Sequence, residues 1–141
     1  MNEILILESA QAFRSGIEAT QGAGILVLQN FPHGSCGDTS DLLAEYFMSL
    51  GFGDWTYVSG KSGSRHHAWL QQDSLIVDIT ADQFGATPVV VSYDAQSYEQ
   101  FTERRTRKAG IEDSGAMRHY RQNLHYSFNT ILQAIRKAKQ L

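Results

Sequence analysis

The chain has 141 residues, of which 42% are hydrophobic and 11% are aromatic, and its formal net charge at pH 7 is −3. This length and hydrophobic content predict one globular domain over residues 1–141 with enough apolar side chains for a core. The acidic balance provides no overall basic field for phosphate backbones, so nucleic acid is excluded as an expected partner.

The chain contains one cysteine, Cys36, so the fold must be stable through packing without an internal disulfide. No stretch reaches the ~20 apolar residues of a membrane helix, which predicts no membrane association. Near the start, Glu3 replaces the basic leader of a secretion signal and Glu8 interrupts the short apolar run. We therefore expect a cytoplasmic protein, unless an export route for effectors leaves no readable signal.

The first predicted helix covers residues 2–20, where apolar residues recur at mostly helical spacing. The short apolar segment 24–31 is compatible with a strand or with an extended approach to the cysteine. Over residues 39–50 the apolar positions follow the pattern i, i+1, i+4, i+5, i+8, which predicts one buried helix face. Glycine at positions 51 and 53 ends this helix, and Cys36 is expected at its start.

Four segments of β-like composition follow, separated by polar connections. They are residues 55–60, 67–72, 75–80 and 87–92. Together they predict an antiparallel sheet of about four strands packed against the helix that carries Cys36. With a helix before the sheet and another after it, the order of elements predicts an α+β fold.

The end of the chain, from residue 119, lacks Pro and Gly and places apolar residues on one face of a predicted closing helix. Before it, residues 94–116 are polar without a clear period, so they are expected to be partly helical and partly mobile. The basic run Arg104 to Lys108 in this piece is interpreted as a solvated loop or helix face. A contact site for an acidic partner is the alternative.

The surroundings of Cys36 suit a thiol nucleophile. A free thiol has a pKa of roughly 8.5, so only about a few per cent is thiolate at neutral pH. The positive end of a helix dipole favours an anion at the helix start, and a nearby imidazole can take the proton. Gly37 leaves room for a substrate and presents an amide suited to an oxyanion hole. Taken alone, Cys36 also fits an inert small apolar residue.

An imidazole and a carboxylate occur on two of the predicted strands. His66 and His67 open one strand, and Asp78 lies in the next, 11 residues after His67. If these strands pair as a hairpin, His67 and Asp78 lie close together and the carboxylate can orient the imidazole. A surface histidine pair and a turn-bonding aspartate are the ordinary alternatives. The order Cys, His, Asp on suitable elements favours catalysis.

Several short motifs occur in one order between residues 32 and 80: "GSC" before an apolar helix ending in "LGF", then "YVSG", "HHAWL" and "DIT". This series resembles the core of the transglutaminase-like superfamily, which is related to papain-like cysteine proteases. The resemblance implies Cys36 as nucleophile and His67, which directly precedes Ala68-Trp69, as general base and acid. It implies Asp78 as the group that orients the imidazole. The family's Asp-Pro-Thr is Asp-Ile-Thr here, which removes a rigid turn.

Further residues near the triad are candidates for contacts. Gly37 is a candidate for the oxyanion hole. Gln83, just beyond the aspartate, suits a donor or substrate contact, and surface capping is equally compatible with it. Trp69 is expected to pack in the core or to wall the site. Asp38 is a candidate cap for the helix, and Thr39 and Ser40 are equally open alternatives.

The resemblance implies attack of the Cys36 thiolate on a carboxamide or peptide carbonyl, followed by a thioester that water or an amine resolves. Water gives a deamidase or protease, and an amine gives a transglutaminase. We predict a small hydrolase or deamidase that acts on a protein or peptide without a cofactor. A non-catalytic interaction module with the same fold is the main alternative. A metal site at Cys36, His66, His67 and Asp78 lacks the paired spacing of structural zinc, so no metal is predicted.

Overall fold

A computed structural model describes residues 2–21, 28, 31 and 35–140 of the chain. The helices within these residues are α1 (Glu3–Ala19), α2 (Cys36–Ser49) and α3 (Arg118–Lys139). The strands are β1 (Thr56–Ser62), β2 (Arg65–Gln72), β3 (Leu75–Asp78), β4 (Val90–Ser92) and β5 (Thr102–Lys108). Two short 3-10 helices, Ala81–Phe84 and Gln96–Tyr98, follow β3 and β4.

The five strands form one antiparallel sheet in the order β4-β3-β2-β1-β5. β1 and β2 make a long hairpin, in which His67 is paired with Gly60. β5 pairs with the other side of β1, where the register shifts between Ser59 and Lys61. β2 therefore lies in the middle of the sheet, and its backbone is held from both sides.

Apolar side chains form one core on each face of the sheet. The larger core lies between the sheet and the three helices and includes Phe47, Leu70 and Val77. The smaller core includes Trp69 and Ile76, the neighbours of Leu70 and Val77 along their strands. Because successive side chains of a strand point to opposite faces, the two cores lie on opposite sides of the sheet.

The α+β prediction is confirmed, and the sheet has five strands rather than about four. The description of residues 94–116 as partly helical and partly mobile was wrong at Thr102–Lys108, which forms the edge strand β5. The basic run Arg104 to Lys108 accordingly lies in a strand and not in a loop or helix face. Nearly every residue of β5 is exposed, so the strand has no alternating apolar pattern from which it could be predicted.

The three predicted helices are present, and α2 begins at Cys36 as expected. The carboxylate of Asp38 accepts a hydrogen bond from the Tyr120 hydroxyl of α3, and the capping of α2 by Asp38 stays a prediction. The predicted segment 24–31 lies outside the described residues except for Leu28 and Phe31. In the described part of the chain, no helix is both long enough and apolar enough to cross a bilayer.

Candidate active site

A buried histidine and aspartate form an ion pair across β2 and β3. Nε2 of His67 lies 2.6 Å from Oδ2 of Asp78, and each side chain is 1% exposed. The antiparallel pairing of Leu70 with Val77 sets the register that brings the two residues together. The structure therefore contains the hairpin on which the sequence prediction for His67 and Asp78 depended.

The carboxylate of Asp78 is fixed by three more donors. The Tyr98 hydroxyl donates to Oδ2 at 2.7 Å. The Thr80 amide and hydroxyl donate to Oδ1 at 2.9 and 3.2 Å. Both oxygens are thus satisfied by hydrogen bonds, which offsets the cost of burying a carboxylate. Thr80 makes these bonds although isoleucine stands where the resembled family has proline.

Aromatic rings surround the imidazole of His67. Its ring centre lies 4.4 Å from that of Phe84, 5.4 Å from that of Phe101 and 5.9 Å from that of Trp69. Trp69 is fully buried and packs against His67 from within the smaller core, so it does not line a cleft. This packing limits rotation of the imidazole and keeps water away from the side that faces Asp78.

Cys36, the first residue of α2, lines a cleft of about 760 Å³ together with His67. The other lining residues come from β1, β2 and β5: Tyr57, Ser59, Gly60, Lys61, His66, Ala68, Glu103 and Arg105. Nδ1 of His67 is buried and makes no hydrogen bond of full geometry to a described residue, although Cys36 lies near enough to raise the pKa of His67. Asp78 occupies the other ring nitrogen, so Nδ1 is the nitrogen available to a thiol.

The protonation of His67 depends on both of its neighbours. Burial lowers the pKa of His67, but the hydrogen bond to Asp78 and the interaction with Cys36 outweigh burial. Together they raise the pKa from 6.5 to about 9. The imidazole is therefore protonated at neutral pH, and its positive charge is available to a thiolate at Cys36.

The raised pKa of His67 predicts a fall in stability at alkaline pH. Below pH 6.5 the residue is protonated in both the folded and the unfolded chain, and the stabilisation is complete. Between pH 6.5 and about 9 the folded chain binds more protons. The free energy of unfolding therefore decreases by about 3 kcal/mol at most as pH rises through this range. Urea denaturation of Cys36→Ser at several pH values measures the decrease without the opposing proton uptake of the thiol on unfolding, and adding His67→Gln should remove it. An equal decrease in both proteins would contradict this prediction.

The remaining candidates lie in different surroundings. Gly37 directly follows Cys36 in the first turn of α2. Gln83 lies in the 3-10 helix Ala81–Phe84, donates to the Thr80 carbonyl at 3.3 Å and is not among the residues that line the cleft. His66 is exposed on the rim of the cleft. Across the described residues, no group of three or more His, Cys, Asp and Glu side chains is placed to hold a metal ion.

Sequence reasoning missed the aromatic residues that complete the site. Tyr98 and Phe101 lie in the segment that was interpreted as polar and without a period, yet both are buried against His67 and Trp69. Two aromatic residues three positions apart in a polar stretch, "SYEQF", were the available signal. Residues 96–98 form a 3-10 helix, which has no long-range pattern of its own.

Arg14 of α1, which was also missed, secures the segment that follows Asp78. Its guanidinium donates to both carboxylate oxygens of Asp82 at 2.8 Å and to the carbonyl of Ile79 at 2.8 Å. The Arg14 side chain is 10% exposed. The first helix thus holds the chain in place one residue beyond the aspartate that contacts His67.

Comparisons of this chain with protein-family models, with curated proteins and with solved structures gave no match. The class of protein is therefore described by the geometry of its fold and its site. It is an α+β domain with a five-stranded antiparallel sheet, a buried His–Asp pair and a cysteine that begins a helix at the same cleft.

Proposed function

We propose that the chain is a thiol-dependent acyl-transfer enzyme of the transglutaminase-like, papain-like kind, with Cys36, His67 and Asp78 as its triad. The observation that carries the proposal is the buried pair of His67 and Asp78. Asp78 occupies one imidazole nitrogen, while the other has no hydrogen bond of full geometry to a described residue, and His67 lines the cleft with Cys36, with which it interacts. This is the arrangement in which an orienting acid, a base and a nucleophile act in series.

Each residue of the triad has a distinct part in the reaction. The Cys36 thiolate attacks a carboxamide or peptide carbonyl, so that a carbon–sulfur bond forms and the carbonyl electron pair moves to oxygen. When the carbonyl reforms, the carbon–nitrogen bond breaks and His67 gives its proton to the departing ammonia or amine. Asp78 keeps the imidazole oriented and stabilises its positive charge. Water, deprotonated by His67, then cleaves the thioester and regenerates the thiol.

The acceptor decides the reaction class. The rim residues His66, Glu103 and Arg105 are exposed, so solvent reaches the cleft where the thioester forms. Water is therefore the acceptor that we place first, which makes the enzyme a hydrolase, either a deamidase or a protease. A primary amine in the same position would make it a transglutaminase. The substrate is a protein or peptide that carries the reacting carbonyl, and no cofactor takes part.

Alkylation of Cys36 by iodoacetamide at pH 6 tests the activated thiol. At this pH a free thiol is only roughly 0.3% thiolate, so a thiolate held beside the His67 imidazolium should react at least about tenfold faster than free cysteine. His67→Ala should abolish that advantage. His66→Ala is the matched control on the same strand and should leave the rate within about twofold. Equal alkylation rates for the protein and for free cysteine would contradict the proposed triad.

Formation of a thioester tests the chemistry that follows. Incubation with p-nitrophenyl acetate should release p-nitrophenolate in a burst and leave an acetyl group on Cys36, detectable by mass spectrometry of the intact chain. Cys36→Ala should give neither. Glutamine-containing peptides, with and without an added primary amine, then separate ammonia release by water from amine incorporation.

A further inference from the structure

A tyrosine hydroxyl lies beside the first turn of α2. Tyr57 is on β1, paired with Leu70 on one side and Arg107 on the other, and it lines the cleft together with Cys36. A Cβ atom built on Gly37 would be 3.0 Å from the Tyr57 hydroxyl oxygen. The hydroxyl is therefore in contact distance of the residue that directly follows the cysteine.

The ring of Tyr57 is held in place by Arg107, which lies over the ring and also interacts with its hydroxyl. The Arg107 guanidinium lies over the ring, 3.8 Å from its centre. Arg107 in turn donates to both carboxylate oxygens of Asp41 in α2, each at 2.9 Å. Asp41 also accepts from the amide of Gly110 at 3.0 Å. The position of the ring is thus fixed by β1, β5 and α2. Because the ring is fixed in this position, its hydroxyl lies beside the start of α2.

We propose that the Tyr57 hydroxyl donates a hydrogen bond to the oxyanion that forms when Cys36 attacks a carbonyl. The proposal rests on the proposed acyl-transfer function and adds a catalytic residue to it. The amides of the first turn of α2, which have no partner within the helix, are the other donors at this end. Gly37 leaves the space next to the Tyr57 hydroxyl open, since a side chain at position 37 would occupy that space.

The hydroxyl carries its proton under the conditions of the reaction. Burial raises the pKa of Tyr57 above its ordinary value of 10, and negative charge at Cys36 raises it further, against the lowering effect of Arg107. Tyr57 is therefore a neutral donor at neutral pH. During attack it shares its proton with the oxyanion without transferring it. The proton that leaves with the amine comes from His67.

Two reactions of the same sulfur distinguish this role from an effect on the thiolate. Alkylation by iodoacetamide displaces iodide at a saturated carbon and develops no oxyanion. Acylation by p-nitrophenyl acetate passes through a tetrahedral oxyanion. Tyr57→Phe keeps the ring beneath Arg107 and removes the hydroxyl together with its interaction with Arg107, which would affect both reactions alike. At pH 7 we expect it to slow acylation by about 100-fold and to leave alkylation within about twofold.

The matched control is Tyr126→Phe on the exposed side of α3, which should change neither rate. Gly37→Ala, which crowds the hydroxyl, should also slow acylation. Circular dichroism and the thermal midpoint confirm that each variant is folded. Acylation and alkylation falling together in Tyr57→Phe, or neither falling, would overturn the assignment. Wild-type protein that is alkylated no faster than free cysteine at pH 6 would instead overturn the proposed function itself, and this role with it.

Discussion

Replacing Asp78 with asparagine is expected to lower the pKa of His67 well below about 9 and to slow acylation of Cys36 by roughly 100- to 10,000-fold. Asparagine has nearly the same volume but no charge, so it cannot stabilise the imidazolium. It also presents an amide that can favour the wrong tautomer of His67. NMR titration of the imidazole measures the pKa, and release of p-nitrophenolate measures the rate.

The matched control for this change is Asp73→Asn. Asp73 is exposed in the turn between β2 and β3, and its positive φ of 52° is one that asparagine tolerates. The substitution Asp73→Asn removes a carboxylate charge from the same hairpin. Both the pKa of His67 and the acylation rate should therefore match those of the wild type. If Asp78→Asn leaves the pKa of His67 near 9, Asp78 does not stabilise the charged imidazole. If it leaves the acylation rate unchanged, Asp78 is a structural residue only.

Replacing Arg14 with methionine is expected to lower the free energy of unfolding by about 1 to 3 kcal/mol. Methionine retains much of the buried stem, but the carboxylate of Asp82 and the buried carbonyl of Ile79 lose this donor. Urea denaturation at pH 7 measures the loss.

The matched control is Arg136→Met in the last turn of α3, where the arginine is exposed and the expected change is within about 1 kcal/mol. A loss from Arg14→Met no larger than that of the control would show that the contact between α1 and the segment after Asp78 contributes little to stability. Since this segment begins one residue beyond Asp78, the wild-type contact also bears on how firmly the carboxylate is placed.

The smaller core contributes to the site through solvation. Phe84, Phe101 and Trp69 remove His67 from water, which by itself opposes the charged imidazole. The hydrogen bond and negative charge of Asp78, together with the interaction with Cys36, more than compensate, because the attraction between opposite charges is weakly screened in the same buried setting. A histidine with the same aspartate on an open surface would have a smaller shift of its pKa. The burial of His67 by these aromatic residues is thus part of the proposed acid and base chemistry.

The local sequence determined the elements whose pattern is complete within a short stretch. The apolar spacing over residues 39–50 predicted α2, and the runs around His67 and Asp78 predicted β2 and β3 with their hairpin. These patterns are readable because a helix face and a buried strand each repeat over a few residues. The order of Cys36, His67 and Asp78 on those elements was sufficient to name the three candidates.

Only the tertiary structure decided the contacts between parts of the chain that are far apart in sequence. β5 is almost wholly exposed and is held by pairing with β1, so no local periodicity indicated it. Tyr98 reaches Asp78 across 20 residues, and Arg14 reaches Asp82 across 68. The position of Tyr57 beside Gly37 depends on how β1 packs against α2. Side-chain contacts of this kind depend on the relative placement of packed elements, which the sequence specifies only through the fold as a whole.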